Sequence, residues 1–290
     1  VPAAAGDGAI TAFYDRVSRP RAMLVAGASA MIRTCLLVLL AAAVWAAAPV
    51  ESEVAYAHDG LALRGTLAMP AGANAGKPLP GVLVVHEWWG VNAYARQRVR
   101  ELAEAGFAAF ACDMYGDGRS TGDPAQAKAW ATPFYQDRAL LLARARAGLA
   151  AFAAQPGVDK SRTAAIGFCF GGTVCLELAR AGEPLKAVVA LHPGLKTGAP
   201  AAPGAVVARV LVLTGGADPL VPPADVAAFM GEMESAKASW RLVSYGGALH
   251  AFTNPAAAKL HATMAAVDHH PEAERAAMEA TRAWLTESLR

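Results

Sequence analysis

The stretch Thr163-Ala164-Ala165-Ile166-Gly167-Phe168-Cys169-Phe170-Gly171-Gly172 decides the fold. Its first four residues are a short apolar β-rich run. A helical pattern, Thr173 to Ala181, follows and stops at Gly182. Between them stands Gly-x-Cys-x-Gly, the strand–turn–helix pattern of a nucleophile elbow, with cysteine where serine is usual. The turn is sharp, and side chains at Gly167 and Gly171 would collide with neighbouring backbone. It lifts the sulfur of Cys169 above a sheet. It also sets it at a helix N-terminus, whose dipole favours a thiolate. The N–H of Phe170 is then placed to stabilise an oxyanion.

Strand and helix signals alternate on both sides of this turn. Glu53–Tyr56 and Leu61–Met69 flank His58-Asp59-Gly60 and predict an opening hairpin. Gly81–His86 is an apolar run suited to burial on both faces. A helix is expected over Ala93–Ala105, a strand over Phe107–Cys112, and a loop over Asp113–Asp123. Pro124–Ala154 reads as helix, broken near Pro133. Strands follow at Lys186–Leu191, Val210–Thr214 and Trp240–Tyr245, and helices at Pro223–Ser235 and Pro271–Leu289. Gly194–Ala208 reads as a surface loop inside one domain. The sum is an α/β chain with about eight strands, a mostly parallel sheet covered by helices on both faces.

Two further strand ends carry polar residues. Val210–Thr214 runs into Gly215-Gly216-Ala217-Asp218-Pro219, and Trp240–Tyr245 into Gly246-Gly247-Ala248-Leu249-His250. The order nucleophile, acid, histidine is that of the α/β-hydrolase fold. Each member follows the C-terminal end of a strand, where such sheets bind ligands. Cys169, His250 and Asp218 are therefore expected to form a triad. Turn or cap roles for Asp218 and a solvated loop role for His250 are the competing readings. The sequence His86-Glu87-Trp88-Trp89-Gly90 follows a central strand. Its loop is expected to supply a second oxyanion donor, the N–H of Trp88, and to bring Glu87 near the sulfur. His86 is expected to pack beneath it.

Composition limits the alternatives. The 290 residues are 55% hydrophobic and 17% charged, which excludes a disordered chain. The net charge of +2 argues against nucleic acid as a partner. Four arginines and two aspartates lie within residues 1–48, leaving 22 residues of each sign beyond. Met31-Ile32-Arg33 precedes the apolar run Cys35–Val44 and the small residues Ala46-Ala47-Ala48. This reads as a signal peptide over 31–48, with 1–30 an upstream extension or a misplaced start, and 51–290 the functional domain. A periplasmic or secreted location follows, with a retained membrane anchor as the alternative and no stable membrane partner after cleavage. Cys112, Cys169 and Cys175 are then an odd set, so at least one stays free. Cys169 and Cys175 lack the spacing of a redox pair. His261, His269 and His270 match no metal-ligand spacing and read as a solvated helical face, so no metal is expected. No phosphate loop or dinucleotide fingerprint occurs, and no cofactor is expected.

The chain resembles the dienelactone hydrolase family of α/β-hydrolases, from about Glu51 to Arg290. The matching pieces are HEWWG at 86–90, GFCFGG at 167–172, GGADPLVP at 215–222 and GGALHAFTNP at 246–255. The resemblance implies Cys169 as nucleophile, Asp218 as acid, His250 as base, and Glu87 as a carboxylate that gates the thiol. The family's dienelactone enzymes hold the substrate carboxylate with arginines, one of them four residues after the histidine. Asn254 stands there in this chain. Arg119 is a candidate for another cation, and Trp88, Trp89 and Phe252 for apolar wall. The expectation is hydrolysis of a small neutral ester or lactone through a cysteine acyl-enzyme. A catalytically silent binding protein on the same fold and a thiol-redox protein are the rival readings. The oligomeric state is left open.

Overall fold

The structure is a computed structural model, and it describes residues 47–290. The expected signal segment at 31–48 and the extension before it lie outside the described residues, save for its last two positions. No helix among the described residues is long and apolar enough to cross a membrane.

Eight strands form one sheet: β1 (Val50–His58), β2 (Leu61–Met69), β3 (Leu79–Val85), β4 (Ala108–Cys112), β5 (Val158–Phe168), β6 (Ala187–Leu191), β7 (Arg209–Gly215) and β8 (Trp240–Tyr245). Their order across the sheet is β1-β2-β4-β3-β5-β6-β7-β8. β1 and β2 pair antiparallel, as do β2 and β4, and every later pair is parallel. The chain is thus an α/β-hydrolase fold, as expected from the sequence. The opening hairpin turns at Asp59 (φ 49°) and Gly60 (φ 76°), two left-handed residues in succession. That is the turn whose twist matches its strands. β1 is an outer edge, and its exposed Glu51 and Glu53 discourage pairing with another chain.

Seven helices complete the described fold: α1 (Ala93–Glu104), α2 (Pro124–Gln136), α3 (Arg138–Ala153), α4 (Phe170–Arg180), α5 (Pro223–Ser235), α6 (Ala257–Leu260) and α7 (Pro271–Ser288). Alternation along β3 sorts the core into two layers. Leu83 and Val85 face a layer that holds side chains of α2, α3, α4 and α5. Val82 and Val84 face a layer built with α1 and α7. A strand buried on both faces must be apolar at every position, which is why β3 and β6 read as unbroken apolar runs.

One boundary differs from expectation. The helical stretch 124–154 breaks at Asp137, not at Pro133. Pro133 stays inside α2. Asp137 is extended (φ −125°, ψ 96°), and its carboxylate accepts from Leu140 N–H at 3.0 Å. A capping carboxylate starts the next helix, and this outcompetes the missing N–H of one proline. The short α6 was not legible either, since four residues give no periodicity.

Candidate active site

Cys169 lies between β5 and α4 with φ 52° and ψ −115°, a conformation rare for any residue but glycine. Packing forces it. A Cβ on Gly167 would sit 2.0 Å from Gly171 O, and one on Gly171 would sit 2.1 Å from Val85 O. The second contact presses the elbow onto the end of β3. It brings the first N–H groups of α4 beside the loop that carries Glu87 and Trp88. Phe170 is the first residue of α4, so its N–H has no acceptor within the helix.

His250 Nδ1 pairs with Asp218 Oδ2 at 2.7 Å. The Asp218 side chain is fully buried, and its other oxygen accepts from Leu220 N–H at 2.8 Å. Cys169 lines the same cavity as His250 and is among the groups that act on its imidazole. Burial opposes protonation of His250, but the neighbouring sulfur and Asp218 outweigh it and push its pKa up to about 10. A segment before α7 clamps the histidine. His250 N–H donates to Ala266 O at 3.1 Å, and Asp268 N–H donates to His250 O at 3.1 Å.

Glu87 is buried, and its Oε2 accepts from Asn254 Nδ2 at 2.6 Å. Burial pushes its pKa up to about 7, against the opposing pull of Asn254, His250 and Arg98. His86 is buried beneath the loop, as read, and its Nε2 accepts from Met114 N–H at 3.3 Å.

The sulfur of Cys169 opens on a cavity of about 380 Å³. Cys169, His250, Glu87, Trp88, Trp89 and Asn254 all reach it. Asp218 and Phe170 are buried behind the wall, and two residues expected to meet the substrate do not line the cavity. Phe252 is fully buried in the α1–α7 layer, against His192 and Tyr245. Two positions beyond His250 the backbone has already turned inward, through Ala251 at φ 58°. Arg119 is exposed, with its guanidinium 4.6 Å from the centre of the Trp130 ring, outside the cavity lining. The cation that lines the wall is Lys128 of α2, with Thr132 and Tyr135 one and two turns on. Their spacing of four and then three puts them on one helix face. That face was visible in the sequence, but not which way it would point. Leu220, Leu260, Met264 and Val267 supply apolar wall.

Sequence reasoning also missed His192, which is fully buried just past β6. The other histidines have local partners and do not form a solvated helical face. His261 Nδ1 meets Val267 O at 2.9 Å, His269 Nε2 meets Glu274 Oε2 at 2.6 Å, and His270 caps α7. Among the described residues no cluster of three potential metal ligands occurs. Cys112, Cys169 and Cys175 are free thiols.

The chain is similar in sequence and fold to several known proteins. A dienelactone hydrolase-like promiscuous phosphotriesterase from metagenomic libraries is 38% identical, with a TM-score of 0.78. That likeness covers 84% of this chain and 100% of the other. A protein of Escherichia coli, named provisionally as a carboxymethylenebutenolidase, is 29% identical over 243 residues, 76% of this chain and 89% of its own. A dienelactone hydrolase of Anabaena variabilis, 23% identical, shares the fold with a TM-score of 0.62, over 83% of this chain and 99% of its own. The sequence profile of the dienelactone hydrolase family matches residues 63–289, and the chain belongs to that family of hydrolases.

Proposed function

We propose that this protein hydrolyses small neutral or weakly polar carboxylic esters or lactones through a cysteine acyl-enzyme. The observation that carries the reading is the Cys169–His250–Asp218 arrangement, with the sulfur on a strained elbow at the start of α4. In the first half-reaction the sulfur, with its proton held on His250, bonds to the carbonyl carbon. The carbonyl electron pair moves onto oxygen, where Phe170 N–H and Trp88 N–H stabilise it. Collapse expels the alkoxide, which takes the proton from His250. Water then attacks the thioester with His250 as base, and the acid and the free thiol are released. Asp218 orients the imidazole and stabilises its charged form. Glu87, with its pKa near 7, is a second proton acceptor in the same cavity. Gating of the thiol by Glu87 requires the carboxylate to leave Asn254.

The test is intact-mass capture of the acyl-enzyme with p-nitrophenyl acetate, wild type against Cys169→Ala. Capture confined to the wild type is expected. Equal turnover by Cys169→Ala overturns the mechanism, and redox cycling without ester turnover favours a thiol-redox role. The substrate panel also includes a phosphotriester, because a relative 38% identical is described as a promiscuous phosphotriesterase.

Export through residues 31–48 is part of the proposal. The intact mass of the product from a secreting host should place the mature N-terminus near Ala47 to Glu51. A mature chain that begins before Met31 counts against it.

A further inference from the structure

We propose that His192 is a positioning residue that locks the three loops of the triad into one register. It stands one residue past β6, at the centre of the parallel strand ends, with φ 38° and no solvent exposure. Its main chain N–H donates to Leu213 O of β7 at 2.7 Å, on the strand that leads to Asp218. Its ring reaches the other two loops. Nδ1 accepts from Cys169 N–H at 3.1 Å, and Nε2 meets Thr253 Oγ1 at 2.8 Å, three residues past His250. The same Cys169 N–H also reaches Leu191 O at 2.9 Å, so the nucleophile's amide is tied to the end of β6 twice.

The hydrogens have one consistent assignment. An amide can only donate, so Nδ1 of His192 carries no proton and Nε2–H donates to Thr253 Oγ1. Thr253 O–H then donates to the Tyr94 oxygen at 2.6 Å, and Tyr94 O–H to Thr253 O at 3.1 Å. Arg98 donates to the same carbonyl at 2.8 Å. Burial, with His250 nearby, keeps His192 neutral. Its ring centre is 5.4 Å from that of His250. Its acceptor nitrogen therefore survives while His250 carries a proton. Backbone strain at a nucleophile persists only where its surroundings over-determine it. At Cys169 the ring of His192 is part of that constraint. A phenyl ring would fill the same space and hold neither loop.

This inference rests on Cys169 as the nucleophile, so Cys169→Ala is run alongside. The variants are His192→Phe, His192→Asn, Thr253→Val and Thr253→Ser. Active sites are counted by iodoacetamide titration, and acylation is followed by stopped flow as a rate per active site. His192→Phe and Thr253→Val should lower that rate about 10- to 100-fold, the scale on which misplacement by about 1 Å acts, with KM held. His192→Asn presents an acceptor, Oδ1, at the δ position where Nδ1 accepts, and Thr253→Ser restores the hydroxyl, so both should recover most of the rate. Lowered Tm with an unchanged acylation rate in His192→Phe and Thr253→Val makes the network merely structural and overturns the inference. Should His192→Phe not accumulate as folded protein, the Thr253→Val and Thr253→Ser pair decides alone. Turnover that survives in Cys169→Ala refutes the mechanism, and this inference with it. Loss there beside unaltered His192 and Thr253 variants overturns the inference alone.

Discussion

Asn254 Nδ2 donates to Glu87 Oε2 at 2.6 Å inside the wall of the cavity that holds Cys169. A neutral amide thus occupies the carboxylate that the family resemblance assigns to thiol gating. It supplies a hydrogen bond but no charge. Burial therefore dominates at Glu87, and its pKa lies near 7.

Glu87 should weaken the fold as pH rises. The unfolded chain releases this proton near the ordinary value of 4.5, and the folded chain holds it to about 7. Between these values the native state binds more protons, so its stability falls with increasing pH. Glu87→Gln does not titrate. Urea unfolding should show the variant gaining on the wild type between pH 4.5 and pH 8, by a few kcal/mol at most, since one pKa unit is about 1.4 kcal/mol. A stability difference that stays flat across this window counts against a buried, protonated Glu87.

The strain at Cys169 should be measurable apart from its chemistry. Cys169→Gly removes the side chain from a left-handed residue and should abolish acylation, yet leave stability equal or raised by about 1 kcal/mol. Calorimetry of the two proteins checks this. A marked fall in Tm would mean that the Cys169 side chain contributes more to packing than its backbone costs.

The close approach of Gly171 to Val85 O predicts the opposite outcome. Gly171→Ala places a Cβ 2.1 Å from a carbonyl oxygen on a strand buried on both faces. Neither side is a flexible side chain, so the elbow or β3 must shift. A loss on the order of 3–5 kcal/mol, or failure to accumulate as folded protein, is expected from expression yield and thermal unfolding.

Substrate charge should be read by Lys128 rather than by Arg119. Lys128 lines the wall, but it is exposed, so water screens it. Lys128→Ala should raise KM for an ester bearing a carboxylate by less than about fivefold, roughly the value of one exposed ion pair, and leave a neutral ester unaffected. Arg119→Ala should alter neither. Steady-state kinetics on a matched pair of esters would expose a wrong assignment through a charge-selective effect at Arg119.

The order of elements and the strand ends that carry Cys169, Asp218 and His250 were legible because both depend on local signals. Gly167 and Gly171 bracket Cys169, and Asp218 and His250 each follow an apolar run that ends in a glycine pair. Parallel strands place such run ends on one edge of the sheet, so separate stretches of chain meet without any knowledge of side-chain contacts. The helix break at Asp137 was misplaced because capping and proline signals compete within four residues.

What the tertiary structure alone decided is which way the loop side chains point. Phe252 and Asn254 are two residues apart, yet Phe252 enters the core and Asn254 reaches Glu87. Ala251 at φ 58° and the clamp on His250 by Ala266 and Asp268 set that course, and neither leaves a period in the sequence. The same holds for Lys128 against Arg119, and for His192. Periodicity reports which residues are buried, whereas a loop's direction depends on hydrogen bonds to partners distant along the chain.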